Sequence, residues 1–298
     1  LMQRALLSYL SVIFLVTFSL FSCVPKKGVT NAKKDLTEIN NQLQQQTVTL
    51  KDLEVQRKKK EQQNEIDDTA NARIKKFIDK TNKEIDTLIN KNTIVIGETV
   101  VEKADWDRLR KTLSFSRKAS KNINDKILLL SDLISRNMVV RIDQDVVFEP
   151  GKYDISPEVA SAIGKLFEPA SKEIDLFIKK YPNFPLSLVI TAKGYSDATL
   201  IAEGSQLYKE LKDRLKLQTD NPNAKELNKE LSVARAQAVI DLFKSYTVNR
   251  ASDGGNIRNI LYLHEGKGET LPDPKVKDYR IEDSRRRVVL LFWSVFPE

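Results

Sequence analysis

The chain has 298 residues, 41% of them hydrophobic and 30% charged, which is enough apolar material for one or two folded domains and too much for wholesale disorder. Its formal charge of +8, from 49 Lys and Arg against 41 Asp and Glu, is compatible with nucleic acid, anionic lipid or an anionic polymer as partner. One Cys (Cys23) and one His (His264) exclude an intramolecular disulfide framework and a cysteine-cluster metal site, and argue against a multi-histidine centre or a Ser-His-Asp hydrolase.

Residues 5–22 carry no charge, follow Arg4, and are succeeded by Lys26 and Lys27. A positive start, an apolar run and a small residue before Cys23 predict a secretory signal over residues 1–22. The run is also just long enough for an uncleaved membrane anchor. Leu20-Phe21-Ser22-Cys23 resembles a bacterial lipobox, with Phe21 in place of the usual small residue, and it coincides with the end of the apolar run and with the sole Cys. That resemblance implies cleavage before Cys23 and lipidation of Cys23. Each buried acyl methylene contributes about 0.8 kcal/mol, so two or three chains hold a protein on a membrane. Val24, rather than Asp, follows Cys23, which by resemblance to lipoprotein sorting favours the outer membrane.

Residues 23–140 read as a helical stalk. No Gly or Pro interrupts 29–96, and none interrupts 98–149. Leu36, Leu43 and Leu50 recur at heptad spacing, and Ile39, Gln46 and Leu53 fill the companion position, a coiled-coil seam with one polar break. The seam weakens across 57–60 and 65–68 and resumes through Ile74, Ile78, Ile85 and Leu88. Thr93-Ile94-Val95-Ile96-Gly97 suggests a turn or a short extended piece. A second helical run carries Trp106, Leu109, Leu113, Ile123, Ile127, Leu130 and Ile134. The stalk is therefore either one long helix, reaching roughly 90 Å over residues 31–91, or a hairpin bent near 92–97. A homo-oligomer through the coiled coil is one partner this pattern suggests.

From residue 141 the pattern changes. Val146-Val147-Phe148 before Glu149-Pro150-Gly151 predicts a short strand and a turn. Ser156-Pro157-Glu158 predicts a helix start, and Pro169 is expected to kink or split that helix near Glu168. Strands are predicted over 186–193, 260–263 and 287–295, with an amphipathic helix through Leu231, Ala234, Ala238, Leu242 and Phe243. The order β-α-β-α-β-β predicts an α+β fold, a two-layer sandwich over 141–298.

Val146-Val147-Phe148, Gly194-Tyr195-Ser196-Asp197, the stretch 228–239 and Arg286-Arg287-Val288 resemble the OmpA C-terminal-like family. The family's signature, Asn-x-x-Leu-Ser-x-x-Arg-Ala-x-x-Val, is matched at each specified position from Asn228 to Val239. The resemblance implies non-covalent binding of the peptidoglycan stem peptide through diaminopimelate, with no cofactor and no metal. Its key Asp falls on Asp197 and its key Arg on Arg235. Asp197 suits an ammonium, and Arg235 can fork two N–H donors onto a carboxylate. Asn228 and Leu231 would shape the site, Arg287 would lie beside it, and Arg286 is a weaker neighbour. Two departures stand out. Leu200 replaces a usual Gly three residues after the Asp, and residues 200–222 form an insertion, read as an extra helix between Glu203 and Leu217, that separates Asp197 from Arg235.

The sequence thus reads as an outer-membrane-anchored lipoprotein that tethers membrane to wall, its C-terminal domain in the periplasm; it is not read as an enzyme or a nucleic-acid binder. The alternative is a wall-anchoring subunit or scaffold of a motor or secretion assembly, with binding modified or lost through the insertion. The absence of an acidic residue in 5–22 counts against a motor stator. The basic excess lies in residues 24–140, with 24 Lys and Arg against 17 Asp and Glu, whereas 141–298 hold 24 of each. Binding by the C-terminal domain therefore has to come from specific residues.

Overall fold

The computed structural model describes residues 24–136, 139–215, 221–248 and 257–297. The signal segment 1–22 and Cys23 lie outside the described residues. Two compact units emerge, one from residues 24–54 and 76–131 and the other from 55–75 and 132–297. The division thus runs across the helices rather than at residue 141. Among the described residues no helix is long and apolar enough to cross a membrane.

The helical region consists of α1 (Lys26–Gln62), α2 (Asp68–Gly97) and α3 (Lys103–Ser135), whose stretches 26–54, 76–97 and 103–131 belong to the first unit. Leu36, Leu43 and Leu50 are completely buried within this single chain, together with Ile78, Ile85 and Leu88 of α2 and Leu109, Ile123, Ile127 and Leu130 of α3. A coiled-coil seam and a helix of an intramolecular bundle share the same periodicity. Here the seam is satisfied inside the unit, which removes the seam's demand for a second chain. A polar layer crosses the unit: Asn92 donates to Asn40 Oδ1 at 2.9 Å and accepts from Ser116 Oγ at 2.5 Å. Ion pairs Arg117–Asp35 (2.6 Å) and Lys126–Glu84 (2.5 Å) join the same helices at the rim.

The stalk is not one long helix. The chain breaks at 63–67, where Asn64 takes a φ of 53° and Asp67 caps α2 by accepting from the Thr69 and Ala70 amides. The bend expected near 92–97 falls instead between Gly97 and Lys103. Thr93–Ile96 remain helical although β-branched: Val95 is buried, and Thr93 Oγ1 donates back to the Ile89 carbonyl. Tertiary burial overrides the modest helix propensity of these residues.

The second unit contains β1 (Val139–Asp143), α4 (Gln144–Val147), α5 (Pro157–Lys180), β2 (Leu186–Gly194), α6 (Gln206–Leu215), α7 (Ala224–Val248), β3 (Ile257–Gly266) and β4 (Val288–Pro297). It is an α+β arrangement around a mixed four-stranded sheet in the order β1-β4-β2-β3. β2 and β3 run parallel, and β4 is antiparallel to both β1 and β2. α7 provides the crossover between the parallel strands, and its Phe243 meets Phe167 of α5 edge-on at 4.9 Å. Ser156 caps α5, its Oγ accepting from the Val159 amide.

Two expectations need correction. The first strand is Val139–Asp143, and Val146-Val147-Phe148 does not form one. Gln144 is buried and donates to the carbonyls of Tyr195 (2.7 Å) and Val288 (3.0 Å), so the chain turns off the sheet there. Pro169 does not split α5: it lies on the exposed side with Lys165, whose freed carbonyl is one turn earlier, toward solvent. A further segment covers one face of the sheet. Thr191 pairs with Phe292 and Lys193 with Leu290, which sets Lys193, Phe292 and Phe296 on one side. Residues 55–75 cover that side: Asp68 pairs with Lys193 at 3.0 Å, and the Arg73 guanidinium lies over Phe296 at 5.7 Å.

Candidate functional site

The site begins with two glycines that let a helix rest on the ends of parallel strands. A Cβ at Gly194, the last residue of β2, would lie 2.1 Å from the Ser232 carbonyl oxygen, and one at Gly266, ending β3, would lie 2.4 Å from Val233 Cγ2. Neither is tolerable, so glycine permits α7 to approach. Ser232 Oγ then accepts from the Gly268 amide at 2.9 Å, and Ser196 Oγ donates to the Asn228 carbonyl at 3.3 Å. These bonds fix the loops after β3 and β2 against α7, with Asp197 on the loop after β2 and Arg235 on the helix.

Asp197 is 6% exposed. Its Oδ2 accepts from Arg287 Nη1 at 2.8 Å, and its Oδ1 from the Thr199 amide at 3.3 Å. Arg287 also forks onto Asp145, Nε to Oδ1 at 2.8 Å and Nη2 to Oδ2 at 2.6 Å. These hydrogen bonds hold the Asp145 carboxyl below its usual range and push the Arg287 guanidinium up. Asp197 therefore pairs with Arg287, and not with Arg235.

Arg235 is 8% exposed. It donates from Nη1 to Gln144 Oε1 at 2.5 Å and from Nε to the Lys152 carbonyl at 3.1 Å, and lies over the Phe148 ring at 5.3 Å. Among the described residues no carboxylate forms an ion pair with it. Burial pushes its pKa down to about 10, which still leaves a cation at neutral pH. Its hydrogen-bond acceptors are neutral, and the carboxylates of Asp145 and Asp197 act on it only through space.

The five candidate residues line one cleft of about 560 Å³: Asp197, Asn228, Leu231, Arg235 and Arg287 all reach it. Asn228 secures one wall, donating to the Thr199 carbonyl at 3.2 Å and to Glu269 Oε1 at 3.0 Å. Leu231 packs with Leu211, Leu215 and Leu227. Arg286 is turned away. It is buried and donates to the carbonyls of Glu269 (2.5 Å) and Ile281 (3.0 Å), so it staples the 269–281 loop. The inserted helix begins at Gln206 and is described as far as Leu215; residues 216–217 lie outside the described residues. It packs on α7 through Leu211 and Leu215 and through Arg214–Glu230 at 2.6 Å, leaving the cleft open.

Sequence reasoning missed Asp145 and Gln144. Asp145 meets Arg287 across 142 positions, and no local pattern marks it. Gln144 was hidden beside a stretch that looks like a strand. The cleft brings together two guanidinium groups and three carboxylates, those of Asp145, Glu149 and Asp197, so both signs are present with no excess of positive charge. Such a site suits a ligand bearing both an ammonium and a carboxylate better than a polyanion.

No family model and no curated protein matches the chain. Among solved structures, the OmpA-like domain of FopA1 from Francisella tularensis subsp. tularensis SCHU S4 is similar to it at 20% identity, over 53% of this chain and 73% of that one, with a TM-score of 0.26.

Proposed function

We propose that the chain is an outer-membrane lipoprotein of the OmpA C-terminal-like type, lipidated on Cys23, which binds the peptidoglycan stem peptide non-covalently and ties the membrane to the wall. The observation that carries the reading is Arg235: a buried guanidinium with no carboxylate partner among the described residues, opening on the same cleft as Asp197. Diaminopimelate ends in an ammonium and a carboxylate. Arg235 takes the carboxylate by a charge-assisted fork, and Asp197, already anchored by Arg287, accepts from the ammonium. The match of residues 228–239 to the family signature supports the same assignment. On this reading the site is a receptor and not an enzyme, because each charged group has a binding role and none is asked to move a proton or attack. The open cleft beside α6 favours retained binding over a scaffold that has lost it.

Purified full chain in mild detergent is expected to sediment with isolated peptidoglycan and to remain in the pellet at about 0.5 M salt. Loose attraction by the basic residues of 24–140 is screened at that ionic strength, whereas a pair inside the cleft is screened far less. Pelleting is also expected to stay level from about pH 5 to 9. Asp145, depressed by Arg287, keeps its pair above the ordinary carboxylate value of 3.8 and loses it only as pH falls through its lowered value, while Arg235 stays charged up to about 10. A chain that remains in the supernatant at low salt contradicts the proposal.

A further inference from the structure

The cleft is larger than a zwitterionic head requires. An ammonium, its carbon and a carboxylate are five heavy atoms, on the order of 150 Å³ even at the ~30 Å³ share of a liquid water for each. The cleft measures about 560 Å³. Besides the 148–151 segment, the remaining wall comes from the insertion: Leu200, Ile201 and Leu207 line it, and Leu200 is 77% exposed although it stands three residues from buried Asp197. This wall is built in place. Ser205 Oγ accepts from the Tyr208 amide at 3.1 Å at the start of α6, and Leu211 and Leu215 fix the helix on α7. Ile201 and Leu207 pack against that same cluster, which leaves Leu200 as the uncovered apolar side chain at the rim of a charged cleft.

We infer that Leu200, with Ile201 and Leu207 behind it, is a specificity shelf that takes the methyl group of the D-alanyl residue adjoining the diamino acid. The ligand is thus a stem peptide rather than an isolated diamino acid. The inference rests on the proposed reading of Arg235 and Asp197 and adds a second determinant supplied by the insertion. Contact with a methyl displaces water from the shelf, and a preorganised wall keeps the ordering cost small. One methyl-sized group in an apolar pocket discriminates by roughly 10-fold or more.

The test is calorimetric titration of the full chain with three probes: free meso-diaminopimelate, the stem L-Ala-γ-D-Glu-meso-diaminopimelate-D-Ala, and the same stem with glycine in place of the D-alanine. Wild type is expected to bind the alanine stem about 10-fold more tightly than the glycine stem. Leu200→Ser, at a site exposed enough to spare the fold, is expected to bring that ratio towards one, and Leu200→Met to restore most of it. Equal affinity of wild type for the two stems, or a ratio that survives Leu200→Ser, overturns the shelf while leaving the charged site standing. Failure of all three probes to bind wild type overturns the reading of the charged site and the shelf with it.

Discussion

Arg235→Ala is expected to weaken binding of a diaminopimelate stem by about 30-fold or more, because truncating one partner of a buried, hydrogen-bonded charge pair costs about 2–5 kcal/mol. The effect exceeds that of a surface ion pair, which contributes about 0–1 kcal/mol. The guanidinium is 8% exposed, positioned by Gln144 and the Lys152 carbonyl, and braced by Phe148. Arg235→Lys keeps the charge but loses the planar fork and the stacking, so it is expected to recover only part of the affinity. Arg235→Ala also leaves Gln144 Oε1 without its donor, a cost of about 1–3 kcal/mol to the fold. A thermal melt run beside the titration separates the two effects. Wild-type affinity in a folded Arg235→Ala variant contradicts the assignment.

The second large effect is expected at a residue that touches no ligand. Gly194→Ala would drive a methyl to 2.1 Å from the Ser232 carbonyl, a backbone atom that cannot swing aside. β2 and α7 must then separate, an overpacking cost of about 3 kcal/mol at the upper end of the usual range. For a unit of this size the melting temperature should fall by about 5–10 °C. Because Asp197 follows the end of β2 and Arg235 lies one turn beyond Ser232, the same separation pulls the two halves of the site apart, and stem binding should fall together with stability. Gly97→Ala is the control: nothing lies within 4 Å of its Cβ, and a change within about 0.5 kcal/mol is expected. Equal melting of both variants would mean that α7 does not rest on the strand end as described.

These two positions show what a sequence can and cannot carry. The stretch 228–239 announces Asn228, Leu231 and Arg235 because they share one helix and keep a fixed spacing. Gly194 is legible as a strand end, but its reason, the Ser232 carbonyl across the crossover, exists only in three dimensions. Which basic residue pairs with Asp197 is not legible in the sequence, because Arg287 and Arg235 both line the cleft with it; the outcome turns on Asp145, which draws Arg287 into a bidentate fork beside Asp197. The leucine seam of α1 was plain, yet a 3.5-residue repeat does not reveal whether the covering helices come from another chain. Likewise, Lys193 near the end of an apolar strand gives no hint that Asp68, 125 positions away, meets it on that face of the sheet.

The central claim is that Arg235 receives a carboxylate while Asp197 receives an ammonium on the same ligand. It is tested most directly by titrating the full chain with two stems, L-Ala-γ-D-Glu-X-D-Ala, in which X is either meso-diaminopimelate or lysine. The two side chains present the same ammonium, but only diaminopimelate adds the carboxylate that Arg235 requires. The account predicts that the lysine stem binds at least about 10-fold more weakly, the loss of one charge-assisted contact. Equal affinity for the two stems would contradict it.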